Sequence, residues 1–326
     1  TVVFHDGRLE AAPDHPGGLR SPMDADMLAG FSSVLSAQTM FPVLSRAEMA
    51  GSFKENEFGR LIRQGILTGE GGAWDVLSMR VAEIPEYADQ FRALYPHITD
   101  PEDIAFTDIS NAIAAFVAHE WRSDTAPFDG HLRGETLLQG QERAGLEVFY
   151  GDAGCASCHA GAFLTDHKFH AMGAPQIGPG KSATFEDHHR DDGRFRVTGL
   201  EADRYAFRTP SLRNIASSAP YGHAGAHAEL EDFIRAHADP AKGLMEYDRT
   251  QAVLPDYDST DFKVMDDPEQ VRAIAEAVSH APVALEESEI AALVAFLQTM
   301  TDPVSILGRL GVPTSVPSGL TVPNLD

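Results

Sequence analysis

Five consecutive residues, Cys155-Ala156-Ser157-Cys158-His159, hold both cysteines of the 326-residue chain and set an imidazole directly after the second one. Two thiols about one helical turn apart meet the two vinyl groups of a porphyrin, and the histidine that follows faces the iron. The chemistry implied is covalent attachment of a c-type haem, with His159 as the proximal ligand. A thioredoxin-like redox pair shares the C-x-x-C spacing. Such a pair opens a helix after a strand, however, whereas here the motif follows the end of a helical pattern. With no other cysteine, neither a structural disulfide nor a cysteine-rich zinc site is available beside the haem.

The elements that must position this motif read as helices. Residues 141–150 place Ala144, Leu146, Val148 and Phe149 in a short helix that stops at Gly151 and Gly154, so the cysteines are delivered just past a helix end. Residues 107–121 repeat Ile109, Ile113, Phe116, Val117 and Glu120 at helical spacing behind a Thr cap, which predicts one buried face. A third helix over 286–300 carries Ile290, Leu293, Val294 and Leu297 on one stripe, ends before Pro303 and is expected to pack on the haem domain. Residues 173–200, with Pro175, Gly178, Pro179, Gly180, Gly193 and Gly199 among charges, read as a long loop. From Gly308 onward Pro313, Pro317 and Pro323 exclude regular helix and predict an extended surface tail.

Composition narrows the function classes. Hydrophobic residues make up 43% of the chain, enough for a core, yet no apolar run approaches the ~18 residues of a membrane span. The chain opens on Thr1 with no charged-then-apolar leader, the expectation being that a signal peptide has been removed. Haem c is attached outside the bacterial cytoplasm, which predicts a periplasmic or otherwise extracytoplasmic protein. The 49 acidic against 25 basic side chains give a formal charge of −24, which opposes nucleic-acid binding and would steer a basic redox partner. The same charge serves equally as a solubility or salt adaptation. Among 14 histidines, His188 and His189 beside Asp191 and Asp192 read as a solvated loop rather than a metal site. Trp121 is expected in a core or an interface.

The motifs surrounding the cysteines carry a resemblance. The runs Ile109-Ser110-Asn111-Ala112-Ile113-Ala114-Ala115-Phe116, Pro127-Phe128-Asp129 and Gly145-Leu146-Glu147-Val148-Phe149 precede the haem motif. Phe163-Leu164-Thr165-Asp166, Phe169-His170, Asp192-Gly193-Arg194, Phe207-Arg208-Thr209-Pro210-Ser211-Leu212-Arg213-Asn214 and Tyr221-Gly222-His223-Ala224-Gly225 follow it. In this order they resemble the bacterial di-haem cytochrome c peroxidase family, which includes MauG. The resemblance implies a mainly α fold of cytochrome-c-like helical haem domains with long loops, a first haem that meets peroxide and a second that takes electrons. Only the second haem motif is encoded here. Phe4-His5-Asp6-Gly7-Arg8 resembles a segment that in the family follows the first haem motif, so the N-terminal domain is expected to be incomplete. The expected division is 1–124 as a remnant of the first domain, 125–307 as the C-terminal haem domain and 308–326 as the tail.

What the resemblance implies for the site follows residue by residue. Ala47-Glu48-Met49 resembles the step whose Glu sits above the peroxidatic iron, so Glu48 would shuttle a proton as general acid and base. His5 stands where the family has a Trp between its haems. Aligning Leu230 to His237 with the family's Leu-Glu-Glu run puts His237 where peroxidases carry a Met ligand and MauG a Tyr. His237 is therefore the expected second iron ligand, with Met245 and Met265 as the alternatives. His223 is expected to hydrogen-bond in the haem pocket, and Arg208 or Arg213 to pair with a propionate. A calcium ion held partly by backbone oxygens near Arg208 to Pro210, and a homodimer, belong to the same expectation.

Three functions stay open on this reading. The leading one is an extracytoplasmic oxidoreductase that reduces hydrogen peroxide with electrons from a small cytochrome c or a cupredoxin. The others are a MauG-like oxidase acting on a partner protein and a mono-haem electron-transfer subunit.

Overall fold

The computed structural model describes residues 2–23, 25–46, 48–178, 186–254 and 261–323. Thr1, Ala47, Pro179 and Gly180, which figure in the sequence reading, lie outside them. The protein is mainly helical, with 44% helix and 4% strand. It divides into two units: 1–3, 9–122 and 307–326 form one, and 4–8 with 123–306 form the other.

In the first unit a three-stranded antiparallel sheet joins β1 (Val2–Val3), β2 (Leu9–Ala11) and β3 (Leu19–Arg20). Its register sets Glu10 opposite Arg20, which close a cross-strand ion pair at 2.8 Å. Six helices follow: α1 (Val34–Gln38), α2 (Met40–Leu44), α3 (Glu57–Gln64), α4 (Ala73–Ala82), α5 (Pro85–Leu94) and α6 (Phe106–Glu120). Asn56 caps α3 by accepting the Gly59 N–H, and Gly65 ends it in the left-handed region at φ 71°.

The long helix predicted over 107–121 is α6, but its buried face is not the apolar stripe. Asp108, Ser110, Ala114 and Glu120 are buried, while Ile113 is 45% and Phe116 43% exposed. Polar side chains are tolerated inside because each has a partner. Asp108 accepts the Ala105 N–H and contacts His97, Ser110 receives the Thr39 hydroxyl, and Glu120 accepts the Leu310 and Gly311 N–H groups. Trp121, expected in a core or an interface, is 53% exposed and packs edge-on against Phe116. Trp74 is the buried indole, stacked on Phe106 at 4.8 Å.

The second unit carries α7 (Pro127–Leu132), α8 (Gly140–Tyr150), α9 (Phe195–Thr198), α10 (Leu230–Ala238), α11 (Pro240–Met245), α12 (Pro268–Glu276) and α13 (Glu287–Gln298). A two-stranded ribbon pairs β4 (Phe169–His170) with β5 (Phe207–Arg208). Helices α8 and α13 are those read from the sequence, and they pack along one another. Phe296 of α13 is fully buried, edge-on to Phe128 at 5.1 Å and tilted on Phe149 at 5.2 Å. Helix α13 is opened by a capping box between Glu286 and Glu289, and α12 by Pro268 behind the Asp267 cap.

Asp302 closes the unit. It is completely buried, and its carboxylate accepts the N–H groups of Asp124, Thr125, Val304 and Ser305 and the Thr125 hydroxyl. In the loop read from 173–200 the described residues include α9. Residues 308–323 contain neither helix nor strand, and the first of them belong with α6 through Glu120.

Candidate haem site

Helix α8 ends at Gly151, Gly154 turns the chain through φ 65°, and Cys155–Ser157 form a single 3-10 turn. The positive φ of Gly154 is what lets the cysteines leave the helix at once. Both thiols are free and partly exposed. Burial pushes the Cys155 thiol pKa up, and Cys155 packs with Ala156, Leu212, Ile215 and Phe233 against the core around Phe149 and Phe296.

His159 follows, its Nδ1 3.2 Å from the Leu164 carbonyl oxygen. A carbonyl can only accept, so Nδ1 carries the proton and Nε2 presents a lone pair. Burial lowers the imidazole pKa, with the Leu164 bond opposing it, and the ring is neutral at physiological pH.

Opposite it stands His237, in the last turn of α10, with ring centroids 6.4 Å apart. Metal–imidazole bonds of about 2 Å on either side of one ion account for such a separation. Phe233, one turn earlier, stacks on His237 at 5.2 Å and fixes its plane. Burial, reinforced by His159 and His280, brings the His237 pKa down to about 4 and keeps the ring in the form that ligates. Two thiols, two facing neutral imidazoles and an apolar wall form a donor set that fits haem c.

The other candidates fall elsewhere. Met245 is 62% exposed at the end of α11, and Met265 packs on the separate cluster of Tyr205, Leu244 and Val264. Glu48 is exposed in the turn after α2, its N–H on the Ser45 carbonyl. Arg213 forms a fork with Asp129, two bonds of 3.0 Å, and its Nε donates to the Ala162 carbonyl. That guanidinium is committed to a carboxylate inside the protein rather than offered to a propionate. Arg208 differs: it donates to the carbonyls of Phe4 and Thr209, and burial lowers its pKa. The Thr209 carbonyl also accepts the Thr165 hydroxyl, so this backbone oxygen of the expected calcium segment is already engaged.

His223 is bound to Asp191 at 3.0 Å and stacks on Phe207. Asp191 and Asp192, read as part of a solvated loop, are buried. The correction has a physical reason: Asp191 is bound by His223 and the Gly193 N–H, and Asp192 by Arg190 and Arg204. Nothing in a run of charged residues distinguishes satisfied carboxylates from solvated ones. Asp302 left a readable signal, an Asp directly before Pro303 at a helix start.

A helical unit that sets the His159 and His237 rings 6.4 Å apart, with a Cys155-x-x-Cys158 pair leading directly into His159, carries the donor set of c-type haem proteins. Residues 1–137 match the family model described as di-haem cytochrome c peroxidase. The chain is 33% identical over 250 residues to cytochrome c peroxidase Ccp of Escherichia coli K12, covering 72% of this chain and 51% of that protein. It is 36% identical over 160 residues to cytochrome c551 peroxidase of Pseudomonas aeruginosa, covering 49% and 44%. Among solved structures, the diheme peroxidase BthA of Burkholderia thailandensis superposes with a TM-score of 0.50 at 20% identity, over 98% of this chain and 69% of that one; this likeness concerns the fold alone. The chain belongs to the di-haem cytochrome c peroxidase and MauG family. It spans about half the length of the two peroxidases it matches. Among the described residues, no helix is long and apolar enough to cross a membrane.

Proposed function

We propose that this chain holds the electron-accepting haem of an extracytoplasmic di-haem peroxidase, which reduces hydrogen peroxide to water with electrons from a small cytochrome or cupredoxin. The observation that supports it most is the pairing of the His159 and His237 rings at 6.4 Å, His159 following directly on the Cys155-x-x-Cys158 pair.

In this reading Cys155 and Cys158 would bond the porphyrin, and His159 and His237 would hold its iron through their unprotonated nitrogens. The Leu164 carbonyl fixes the His159 tautomer, and Phe233 fixes the plane of His237. Arg208, which donates to the Phe4 and Thr209 carbonyl oxygens, is the cation that would meet a propionate. Phe149, Leu164, Leu230 and Phe233 keep water from the ring face. Haem c, when bound, would supply one-electron iron chemistry at a potential tuned by the residues that hold it. Attachment of haem c outside the cytoplasm supports the periplasmic setting, and the −24 charge favours a donor with a basic face. Glu48 as proton shuttle is retained for the complete two-haem protein.

A pyridine haemochrome assay combined with intact mass, on the natural protein, tests the reading. Two covalent haems are the expected result. One haem on a mature chain of this length would overturn it in favour of a mono-haem carrier. With two haems in place, peroxide consumption with a reduced donor separates a peroxidase from a protein oxidase.

A further inference from the structure

Besides His159 and His237, three side chains of the second unit converge that the haem reading does not use. His5 Nε2 and His223 Nε2 approach the same oxygen, Asp191 Oδ2, at 3.4 Å and 3.0 Å. The two imidazole centroids are 4.7 Å apart, and the three donor atoms lie within 4.8 Å of one another.

Hydrogen bonding explains one of these contacts. At 3.0 Å His223 makes a good bond to the carboxylate, but 3.4 Å lies beyond the ~3.2 Å limit of a normal N–H···O bond. Coordination explains both. An ion with bonds of about 2.0–2.1 Å sets neighbouring donors about 2.9 Å apart at a right angle and about 3.4 Å apart at the tetrahedral angle. The observed edges of 3.0 Å and 3.4 Å match that pair.

The donors are also held in place. Asp191 Oδ1 accepts the Gly193 N–H at 3.0 Å, and the Asp191 backbone is clamped on both sides by the Gln176 amide at 2.7 and 2.8 Å. His223 stacks on Phe207 at 3.7 Å, and the His5 carbonyl accepts the Arg208 N–H at 2.8 Å. Such supporting bonds are the device by which proteins orient metal ligands. The His5 side chain is 27% exposed, which gives an ion a route in.

We propose that His5, Asp191 and His223 form a binding site for a borderline divalent transition-metal ion, with zinc as the reference case and water completing the shell. Two imidazoles and one carboxylate suit zinc, copper(II) or iron(II) and are the wrong donors for calcium or magnesium, which take oxygen. The bound ion ties residues 4–8 to the Asp191 loop within the same unit.

Zinc titration of the haem-loaded chain by calorimetry, with metal content measured after dialysis, tests this. Loading the haem first occupies Cys155 and Cys158, which would otherwise bind zinc. Wild type should retain one zinc more than His5→Phe, and the variant should bind that equivalent at least about tenfold more weakly. Zinc should raise the thermal midpoint of wild type and not that of His5→Phe. Haem content serves as the fold check, and His5→Gln replaces His5→Phe if the latter fails to load haem. Equal zinc content and affinity in wild type and variant would overturn the proposal, leaving a hydrogen-bonded His–Asp–His cluster.

Discussion

At the scale of single residues, one hydrogen bond and one ring separation do most of the chemical work. The Leu164 carbonyl decides which nitrogen of His159 is free, and the 6.4 Å between the His159 and His237 rings decides that the second imidazole is the facing group. Thioether ligation raises the potential of a haem relative to two imidazoles. His237→Met should therefore raise the reduction potential by on the order of 0.1 V, within the ~0.8 V range that axial ligands span. Spectroelectrochemistry of the haem-loaded chain checks it, and an unchanged spectrum and potential would place the ligand on another residue. Arg208 and Arg213 show how alike two arginines look in sequence and how differently they are used. Among the described residues one bonds to the carbonyls of Phe4 and Thr209 and the other is locked to Asp129.

At the scale of elements, the site depends on how closely α8 and α13 approach, because α8 delivers the cysteines. Gly145 is the contact point: a Cβ there would lie 1.9 Å from the Ala292 carbonyl oxygen and 2.7 Å from Phe296 Cβ. By helix propensity alone, Gly→Ala stabilises by about 1 kcal/mol. Backbone cannot yield as a flexible side chain can, so the clash wins. Gly145→Ala should destabilise the unit by at least about 2 kcal/mol, read as a lowered thermal midpoint of the haem-loaded chain. A raised midpoint would mean that the helices separate without cost. The same logic explains α6, where the apolar spacing of Ile109, Ile113 and Phe116 gave the right element and the wrong face. Ser110 and Asn111 are drawn toward α1 because Thr39, Ser32 and Ser36, in or beside that helix, bond to them, while Asp108 is held by the Ala105 N–H and His97.

For the whole molecule, charge and burial pull in opposite directions as pH falls. The −24 charge diminishes on acidification, which relieves self-repulsion. Against it stand buried carboxylates. Burial would raise the Asp302 pKa, but the bonds from Thr125, Ser305 and Asp124 overcome it and leave the group below its usual value. A carboxyl whose folded pKa is depressed stabilises fully above the unfolded value near 3.9, and that contribution is lost as pH falls through the folded value. Asp191 acts in the same sense. In salt high enough to screen the surface, the thermal midpoint should fall below about pH 4.5. The gap between wild type and Asp302→Asn should narrow over the same range. A gap that stays constant from pH 6 to pH 3 would show that Asp302 is not the group responsible.

The sequence by itself determined the haem motif, the helix that precedes it and the helix that packs on it, because each is written in local spacing: C-x-x-C-H, a 3.6-residue period, a glycine stop; the family was legible as the resemblance of a series of motifs in order. It also placed His237 among the candidate ligands. Only the tertiary structure set His237 opposite His159, engaged Arg213 with Asp129, buried Asp191 and brought His5 beside it across more than 180 positions of chain. Partners so far apart leave no periodicity to read. Whether a carboxylate is solvated or satisfied depends on what the fold brings to its oxygens, and the charge of its neighbours in sequence does not reveal it.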